Sequence, residues 1–353
     1  MTAWPGRLAQ VRVHRLSNVA TMVQPARPDL NTRLSGESGL PVTGVLYNPR
    51  SHRNRDHTPR DVDHPVIRVE QPQRRRDLKD AMQRFVDSGV ELLVINGGDG
   101  TVRDALTGGN MVFGEKWPAL AVLPRGKTNA LTIDLQMPGE WSLEEAILAH
   151  RDGNRVTRRP LVLEPLGDIE DPLVRLGFIL GAGAFVAAID SGQGAHRLGA
   201  FQNLAVGATA VWGFTQALFG GDQNPWKRGA AMDVRLGPDM ARLAHSGHGE
   251  ESRRSALFAS TLTRFPAGLD PFSELPGPIR LFALDRFRRR LAFTLPLILK
   301  GWRPDNLMAM GIHRHSTERI DLDLGGGFIL DGERFDPGRY CVTPGPELSF
   351  VVP

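Results

Sequence analysis

The chain has 353 residues, 41% hydrophobic and 23% charged, enough apolar material for one large or two smaller cores and too much for wholesale disorder. A single cysteine, Cys341, excludes an internal disulfide framework and any multi-cysteine metal site. The net charge of +4 and pI of about 9.6 are a mild basic excess, and no basic stripe interleaved with stacking aromatics is visible, which argues against nucleic acid as a partner.

Residues 1–39 are polar, arginine-bearing, poor in acids and broken by prolines and glycines. A flexible N-terminal extension is expected there, and a mitochondrial-type presequence would have the same composition. With no signal peptide and no apolar run of spanning length in view, a cytoplasmic location is expected. Val42 to Tyr47 has the pattern of a strand and ends at Asn48-Pro49-Arg50-Ser51. A polar loop with His52, His57 and His64, at no metal-binding spacing, leads to a second strand at Val66 to Val69. Asp77 to Ser88 is an amphipathic helix with Leu78, Met82, Phe85 and Val86 on one face, stopped by Gly89. Arg74 to Arg76 are expected as its solvated start.

Glu91 to Asn96 is a short apolar run suited to a buried parallel strand. It opens into Gly97-Gly98-Asp99-Gly100-Thr101, and Val102 to Leu106 continue as a short helix. A further strand, Ala119 to Leu123, runs into Pro124-Arg125-Gly126-Lys127-Thr128-Asn129. Ser142 to His150 is a helix capped by Ser142, with Glu145 three residues on. Strands alternating with helices give a parallel sheet with ligand loops at the strands' C-terminal ends. After about residue 155 the pattern becomes that of antiparallel sheet with one wet face. Strands are expected at Leu161 to Glu164, Val174 to Gly181, Ala231 to Leu236, Ser255 to Thr263, Ile279 to Asp285 and Arg319 to Leu324. Helical insertions are expected near Leu198 to Leu218 and Arg289 to Leu299. The division expected is 1–39, 40–154 and 155–353.

A strand that delivers Gly97, Gly98 and Gly100 into a helix lets main-chain amides approach phosphate oxygens with no Cβ in the way. Asp99 cannot sit bare beside phosphates, so it would hold Mg²⁺ through water or accept from a sugar or substrate hydroxyl. Alone, the loop could equally be a plain Gly-Asp-Gly turn. Gly126 to Asn129 place a second hydroxyl-bearing loop on the same sheet edge, and Asn48 and Ser51 end an earlier strand beside it. Thr128 and Asn129 can bind nucleotide oxygens or lock the neighbouring loop. Three polar loops on one edge favour a nucleotide crevice over three unrelated turns.

Asn48-Pro49-Arg50-Ser51, the loop at 97–101, the P-x-G-x-T-N stretch at 124–129 and Leu330-Asp331-Gly332-Glu333 together resemble the diacylglycerol kinase catalytic-domain family, which includes bacterial lipid kinases, sphingosine kinases and ceramide kinases. The resemblance runs from about residue 42 to the C-terminus. It implies an α/β plus β fold: a Rossmann-like nucleotide-binding domain followed by a β-sandwich domain, with the active site in the cleft between them. It also implies an ATP-dependent, Mg²⁺-assisted lipid kinase acting on diacylglycerol, ceramide or a sphingoid base. ATP would contact Gly97 to Arg103, Val102 included, and Gly126 to Asn129, with Asn48 and Ser51 alongside. Glu333 would accept the proton of the lipid hydroxyl, and Asp331 would order Mg²⁺ and water. Asp-Gly also favours a type I′ hairpin turn, which could be a rigid mount for Glu333.

The chain departs from the family where Lys127 replaces a common Thr, His52 a Gly, and Arg103-Asp104 an Asn-Glu pair. The family's acidic metal loop is not evident; Asp270-Pro271-Phe272 lies in that region, so metal ligands stay unassigned. Arg286 to Trp302 combines basic and apolar residues and suits docking on an anionic membrane, though a buried helix with a basic end has the same pattern. Phe201 to Phe219 could line an acyl-chain pocket or pack in the core. A peripheral membrane surface and a lipid substrate are therefore the expected partners, and a homodimer stays open. An NAD kinase shares GGDG but not the late D-G-E. A non-catalytic lipid- or nucleotide-binding protein would keep the fold and the loops.

Overall fold

The structure, a computed structural model, describes residues 34, 38–54, 64–167, 173–186 and 229–353. The insertion expected at Leu198 to Leu218, the Phe201 to Phe219 segment, His57 and nearly all of the N-terminal extension lie outside the described residues.

In the first half, strand β1 (Thr43–Tyr47) and β2 (Ile67–Glu70) precede helix α1 (Leu78–Asp87). Then come β3 (Leu92–Gly97), α2 (Asp99–Phe113), β4 (Ala119–Pro124), α3 (Ala130–Asp134), α4 (Leu143–Asp152) and β5 (Arg155–Arg158). Helix α2 is much longer than the short helix expected at 102–106, because Gly108 and Gly109 lie inside it. Gly109 against Trp117 leaves no space for a Cβ, and Gly108 against Leu78 leaves little. Ser142 caps α4 as its sequence predicts: its side chain accepts from the Glu145 amide at 3.2 Å, and Glu145 answers at the Ser142 amide at 2.7 Å.

The second half runs β6 (Leu161–Pro165), β7 (Arg175–Gly177), β8 (Ile179–Gly183), β9 (Ala230–Leu236), β10 (Ala241–Arg242), β11 (Arg253–Arg254), β12 (Ala256–Ser260) and β13 (Ile279–Leu284). Helix α5 (Leu291–Ile298) is followed by β14 (Ile312–Thr317), β15 (Ile320–Leu324), β16 (Phe328–Leu330), β17 (Glu333–Phe335), β18 (Gly338–Pro344) and β19 (Leu348–Val351).

The first sheet has the order β2-β1-β3-β4-β19-β5, parallel except for the antiparallel β5 at its edge. Thus residues 155–158 and the final strand, from beyond the expected boundary at 154, complete the N-terminal sheet. One face packs Leu46, Leu93, Ile95 and Val122 against Met82 and Phe85 of α1 and Leu106 of α2. The other packs Val45, Val94 and Leu123 against Trp141 and Ile147. Burial on both faces explains why these strands read as unbroken apolar runs.

Two antiparallel sheets follow, β10-β9-β15-β18-β6-β7 (with β11 also on β9) and β14-β13-β12-β8-β16-β17. Alternate residues of both, among them Leu163, Val234, Leu322 and Val342 from one and Leu180, Leu257, Leu281 and Phe328 from the other, meet in a common core. The single strand expected at Val174 to Gly181 is two: the chain leaves one sheet after Gly177 and enters the other at Ile179. At that crossing the Phe178 and Ile179 amides both donate to the Asp331 carboxylate, at 2.9–3.1 Å. Contacts of buried polar groups join the halves. Asp134 Oδ1 accepts from the Thr263 amide and hydroxyl at 2.7 Å and the Arg264 amide at 2.8 Å, and the Leu176 amide donates to Thr107 at 3.1 Å.

Candidate active site

The glycine loop closes on the 126–129 loop at van der Waals limits. A Cβ on Gly98 would sit 2.7 Å from the Gly126 Cα, and one on Gly126 would sit 2.6 Å from the Gly98 Cα. Neither position accepts any side chain unless the strand ends separate. The Gly98 carbonyl receives the Thr101 and Val102 amides at 2.8 and 3.0 Å, which starts α2 at the end of β3 and aims the helix N-terminus out of the sheet edge.

Polar side chains lock this arrangement. Asn48 donates to the Thr101 hydroxyl at 2.8 Å and accepts from the Arg50 amide at 2.9 Å, tying the end of β1 to the glycine loop. Asn129 adopts a left-handed conformation (φ 53°), accepts from the Gly126 amide at 2.8 Å and donates to its carbonyl at 3.1 Å. Asn54, buried, joins Asn48 and Asn96 through their oxygens.

A cleft of about 420 Å³ opens over these loops, lined among others by Asn48, Ser51, Gly98, Asp99, Gly100, Thr101, Arg103, Gly126, Lys127, Thr128, Asp331 and Glu333. Of the residues singled out in the sequence, Gly97, Val102 and Asn129 do not line it. Val102 is core, and a Cβ on Gly97 would collide with Thr101. Gly97 and Asn129 thus shape the cleft from behind.

Asp331 and Glu333 arrive from the far end of the chain on the β16–β17 hairpin, where Leu330 pairs with Glu333. Asp331 (φ 46°) and Gly332 (φ 81°) are both left-handed, as a type I′ turn requires. Glu333 meets two arginines. Arg75 Nη1 donates to Oε1 at 2.6 Å and its other terminal nitrogen to Oε2, while Arg103 reaches Oε2 from α2. Arg103, only 3% exposed, also donates to the Leu330 carbonyl at 3.2 Å and to Asp104 at 2.7 Å, and Arg75 contacts Asp104 at 3.1 Å. Arg75, Asp104, Arg103 and Glu333 therefore alternate in sign around the mouth of the cleft. The run Arg74 to Arg76 is not simply a solvated helix start: Arg75 belongs to the site. Only the tertiary position of Glu333 reveals this.

The carboxylates differ in character. Burial alone would raise the Glu333 carboxyl, but the Arg75 hydrogen bonds and the charges of Arg103 and Arg75 outweigh it and hold it below its usual range. Asp331 goes the other way, to about 7, through burial and the nearby Asp99 charge, against the pull of the Phe178 and Ile179 amides and Arg103. Asp99 is also pushed up by burial, although the Leu131, Ala130 and Asn129 amides at the start of α3 donate to it. Two like-charged carboxyls thus share a buried region in which Arg103 offsets only part of the strain on Asp331, the donor set that a hydrated divalent cation relieves with one or two carboxylates and substrate oxygens. No cluster of three or more acidic, histidine or cysteine ligands occurs among the described residues. Asp270, in the region of the expected metal loop, accepts from the Ser273 amide at 2.7 Å within its own turn.

The sequence profile described as the diacylglycerol kinase catalytic domain matches residues 43–158, the stretch that carries all three loops. Over that stretch the chain is similar to diacylglycerol kinase catalytic domains. It is an enzyme of kinase type. Three solved structures from Bacillus anthracis str. Sterne, named as diacylglycerol kinases (two of them with that activity inferred), share the fold. Two align at TM-score 0.59 with 13% and 14% identity, over 90% of this chain and 99% of theirs. The third aligns at 0.56 and 13%, over 90% and 98%. No curated protein matches the sequence. The structural likeness extends beyond the matched stretch to the β-rich half that delivers Asp331 and Glu333 to the kinase domain.

Proposed function

We propose that the protein is an ATP-dependent lipid kinase that transfers the γ-phosphoryl group to a hydroxyl of diacylglycerol, ceramide or a sphingoid base. In this reading the first sheet and its helices form a Rossmann-like nucleotide domain, the two antiparallel sheets form a β-sandwich lipid domain, and the cleft between them is the active site. The observation that carries the proposal is the convergence of a side-chain-free cradle, Gly98 against Gly126, with a carboxylate brought from position 333.

Backbone amides at the start of α2, the Thr101 and Thr128 hydroxyls and Lys127 bind and orient phosphate oxygens. Asp331 and Asp99 would hold Mg²⁺, which when bound neutralises phosphate charge. Arg75 and Arg103 face both Glu333 and the cleft, so incoming phosphate oxygens compete with Glu333 for them. As the arginines turn toward phosphate, Glu333 is released to accept the hydroxyl proton while the new O–P bond forms. An alkyl alcohol is too weak an acid to be deprotonated beforehand, so the transfer is late and the carboxylate must stay ionised at neutral pH. The arginine pairs keep it ionised before phosphate arrives, and a released glutamate of ordinary pKa is still ionised at neutral pH. In this reading the enzyme works in the cytoplasm and meets its acceptor at a membrane surface.

The same double ion pair favours one competing reading, a non-catalytic nucleotide- or lipid-binding protein in which Glu333 stays locked. Radiolabelled γ-phosphate transfer to a panel of diacylglycerol, ceramide and sphingoid bases, with Glu333→Gln alongside, decides between them. Label on one lipid class with wild type and almost none with the variant supports the kinase. Equal labelling by both refutes the role of Glu333, and nucleotide binding without labelling of any lipid establishes the competing reading.

A further inference from the structure

Large apolar side chains scattered singly over a surface are ordinary, but around α5 they are gathered. Phe293 is 83% exposed, Leu297 54% and Trp302 47%, with Met308 at 59% and Leu269 at 40%. Phe293 and Leu297 lie four residues apart on one helix face. The Trp302 amide donates to the Leu297 carbonyl at 2.9 Å, and the Asp270 amide to the Leu299 carbonyl at 2.8 Å, which brings Trp302 and Leu269 to the C-terminal end of that helix. Arg288 donates to the Met310 carbonyl at 3.0 Å and so holds the Met308 turn beside its N-terminal end.

This exposure is not the fraying of a loose helix. The opposite face is anchored, with Leu291, Ala292 and Ile298 exposed by no more than 3% and Phe287 by 8%. Residues 286–303 contain Arg286, Arg288, Arg289, Arg290, Lys300 and Arg303 and no acid. Arg288 is occupied by its turn and Arg303 by Glu274 at 3.2 Å, while Arg289 and Arg290 at one end of the apolar face and Lys300 at the other are exposed. Asp305 is the exposed acid that follows the segment.

We infer that this face docks the protein on an anionic lipid bilayer, with Phe293, Leu297 and Trp302 entering the acyl boundary and Arg289, Arg290 and Lys300 on the headgroups. The apolar ridge between two basic ends is the arrangement that interfacial helices use, and its charge selects the partner. A second copy of the chain applied through the same face would set arginine and lysine against their own kind, whereas a phosphate-bearing surface is complementary to them. The inference gives the membrane partner of the lipid-kinase reading a location and rests on that reading for its purpose. Attachment itself needs neither nucleotide nor transfer, so the two can fail separately.

The test is co-sedimentation of the full chain, without ATP, with vesicles of phosphatidylcholine alone or mixed with phosphatidylglycerol, at low and high salt. Wild type should bind the mixed vesicles, bind neutral ones far less, and weaken in high salt. Phe293→Ser with Leu297→Ser should lower binding on the order of tenfold or more. Arg289→Glu with Arg290→Glu should lower it by about fivefold or more per residue, and only on anionic vesicles. All four positions are exposed, so unfolding midpoints should match wild type and exclude a folding defect. The inference is overturned by wild type that ignores anionic vesicles, by variants that bind as wild type does, or by light scattering that shows a dimer lost on Phe293→Ser. Vesicle attachment with no phosphoryl transfer to any lipid would sink the kinase reading and leave this one standing.

Discussion

Replacing Asp331 by Asn should make the metal-free protein more stable at alkaline pH while removing phosphoryl transfer. In the folded chain the Asp331 carboxyl sits at about 7, against an ordinary 3.8. That rise of about 3 units, at roughly 1.4 kcal/mol each, sets an upper bound of about 4 kcal/mol on the strain of the ionised form. The residue is half-buried on the cleft wall, so about 2–4 kcal/mol is the working range. The folded state holds this proton more tightly than the unfolded chain does. The Asp331 contribution to wild-type stability must therefore fall as pH climbs from about 4 to about 7 and stay lowered above. Asparagine carries no charge and avoids this loss. It also suits the site: it tolerates the left-handed turn position (φ 46°), and its oxygen can keep the Phe178 and Ile179 amides now at 3.1 and 2.9 Å from Oδ1. Urea unfolding in EDTA across that pH range measures the effect. The advantage of Asp331→Asn over wild type should grow from near zero at about pH 4 to about 2–4 kcal/mol at about pH 8. An advantage that does not change with pH, or a variant less stable at pH 8, would refute the burial and like-charge argument.

Three other substitutions probe the same framework. Gly126→Ala places a Cβ 2.6 Å from the Gly98 Cα, so nucleotide affinity measured by calorimetry should drop at least about tenfold, with a stability loss of about 1–3 kcal/mol from the forced separation. Arg103→Leu removes a side-chain donor from the Leu330 carbonyl and leaves Glu333 with Arg75 alone. The expected loss in urea titrations is about 2–3 kcal/mol, below the figure for a fully buried pair because Glu333 keeps some exposure, and a loss under about 1 kcal/mol would contradict the pairing. Asp285, buried between Arg254, His313 and Ser246, would be raised by burial alone, yet the hydrogen bonds from His313 and Ser246 bring it down to about 2. Its contribution is present above about pH 4 and disappears as pH falls toward 2. Asp285→Asn should accordingly cost about 3–5 kcal/mol at neutral pH and progressively less in acid, checked by the same titration.

Where the physics is local, the sequence speaks for itself. Apolar runs such as Leu92 to Ile95 announce parallel strands buried on both faces, because such strands have no wet side to alternate with. Ser142 with Glu145 announces a helix start, since a capping box lies wholly within one turn. Asp331-Gly332 announces the hairpin turn, because few residue pairs accept two left-handed conformations in succession. The three loops at 48–51, 97–101 and 126–129 announce a common sheet edge, since each follows a strand of one parallel sheet, and all three line one cleft.

Tertiary structure decided what depends on partners remote in sequence. No local pattern shows that the last strand, Leu348–Val351, returns to pair with β4 and β5, since pairing across such a separation is selected by packing and not by propensity. The break at Phe178 lies inside an apolar run, and the chain changes sheets there with the Asp331 carboxylate receiving the amides at the crossing. Arg75 looks like any exposed basic residue until Glu333 is placed against it. The sequence alone determined where two strand ends could approach without side chains, at Gly98 and Gly126. Long-range packing alone determined which charges surround them, because an ion pair spanning 258 positions exists only once the intervening sheets have assembled.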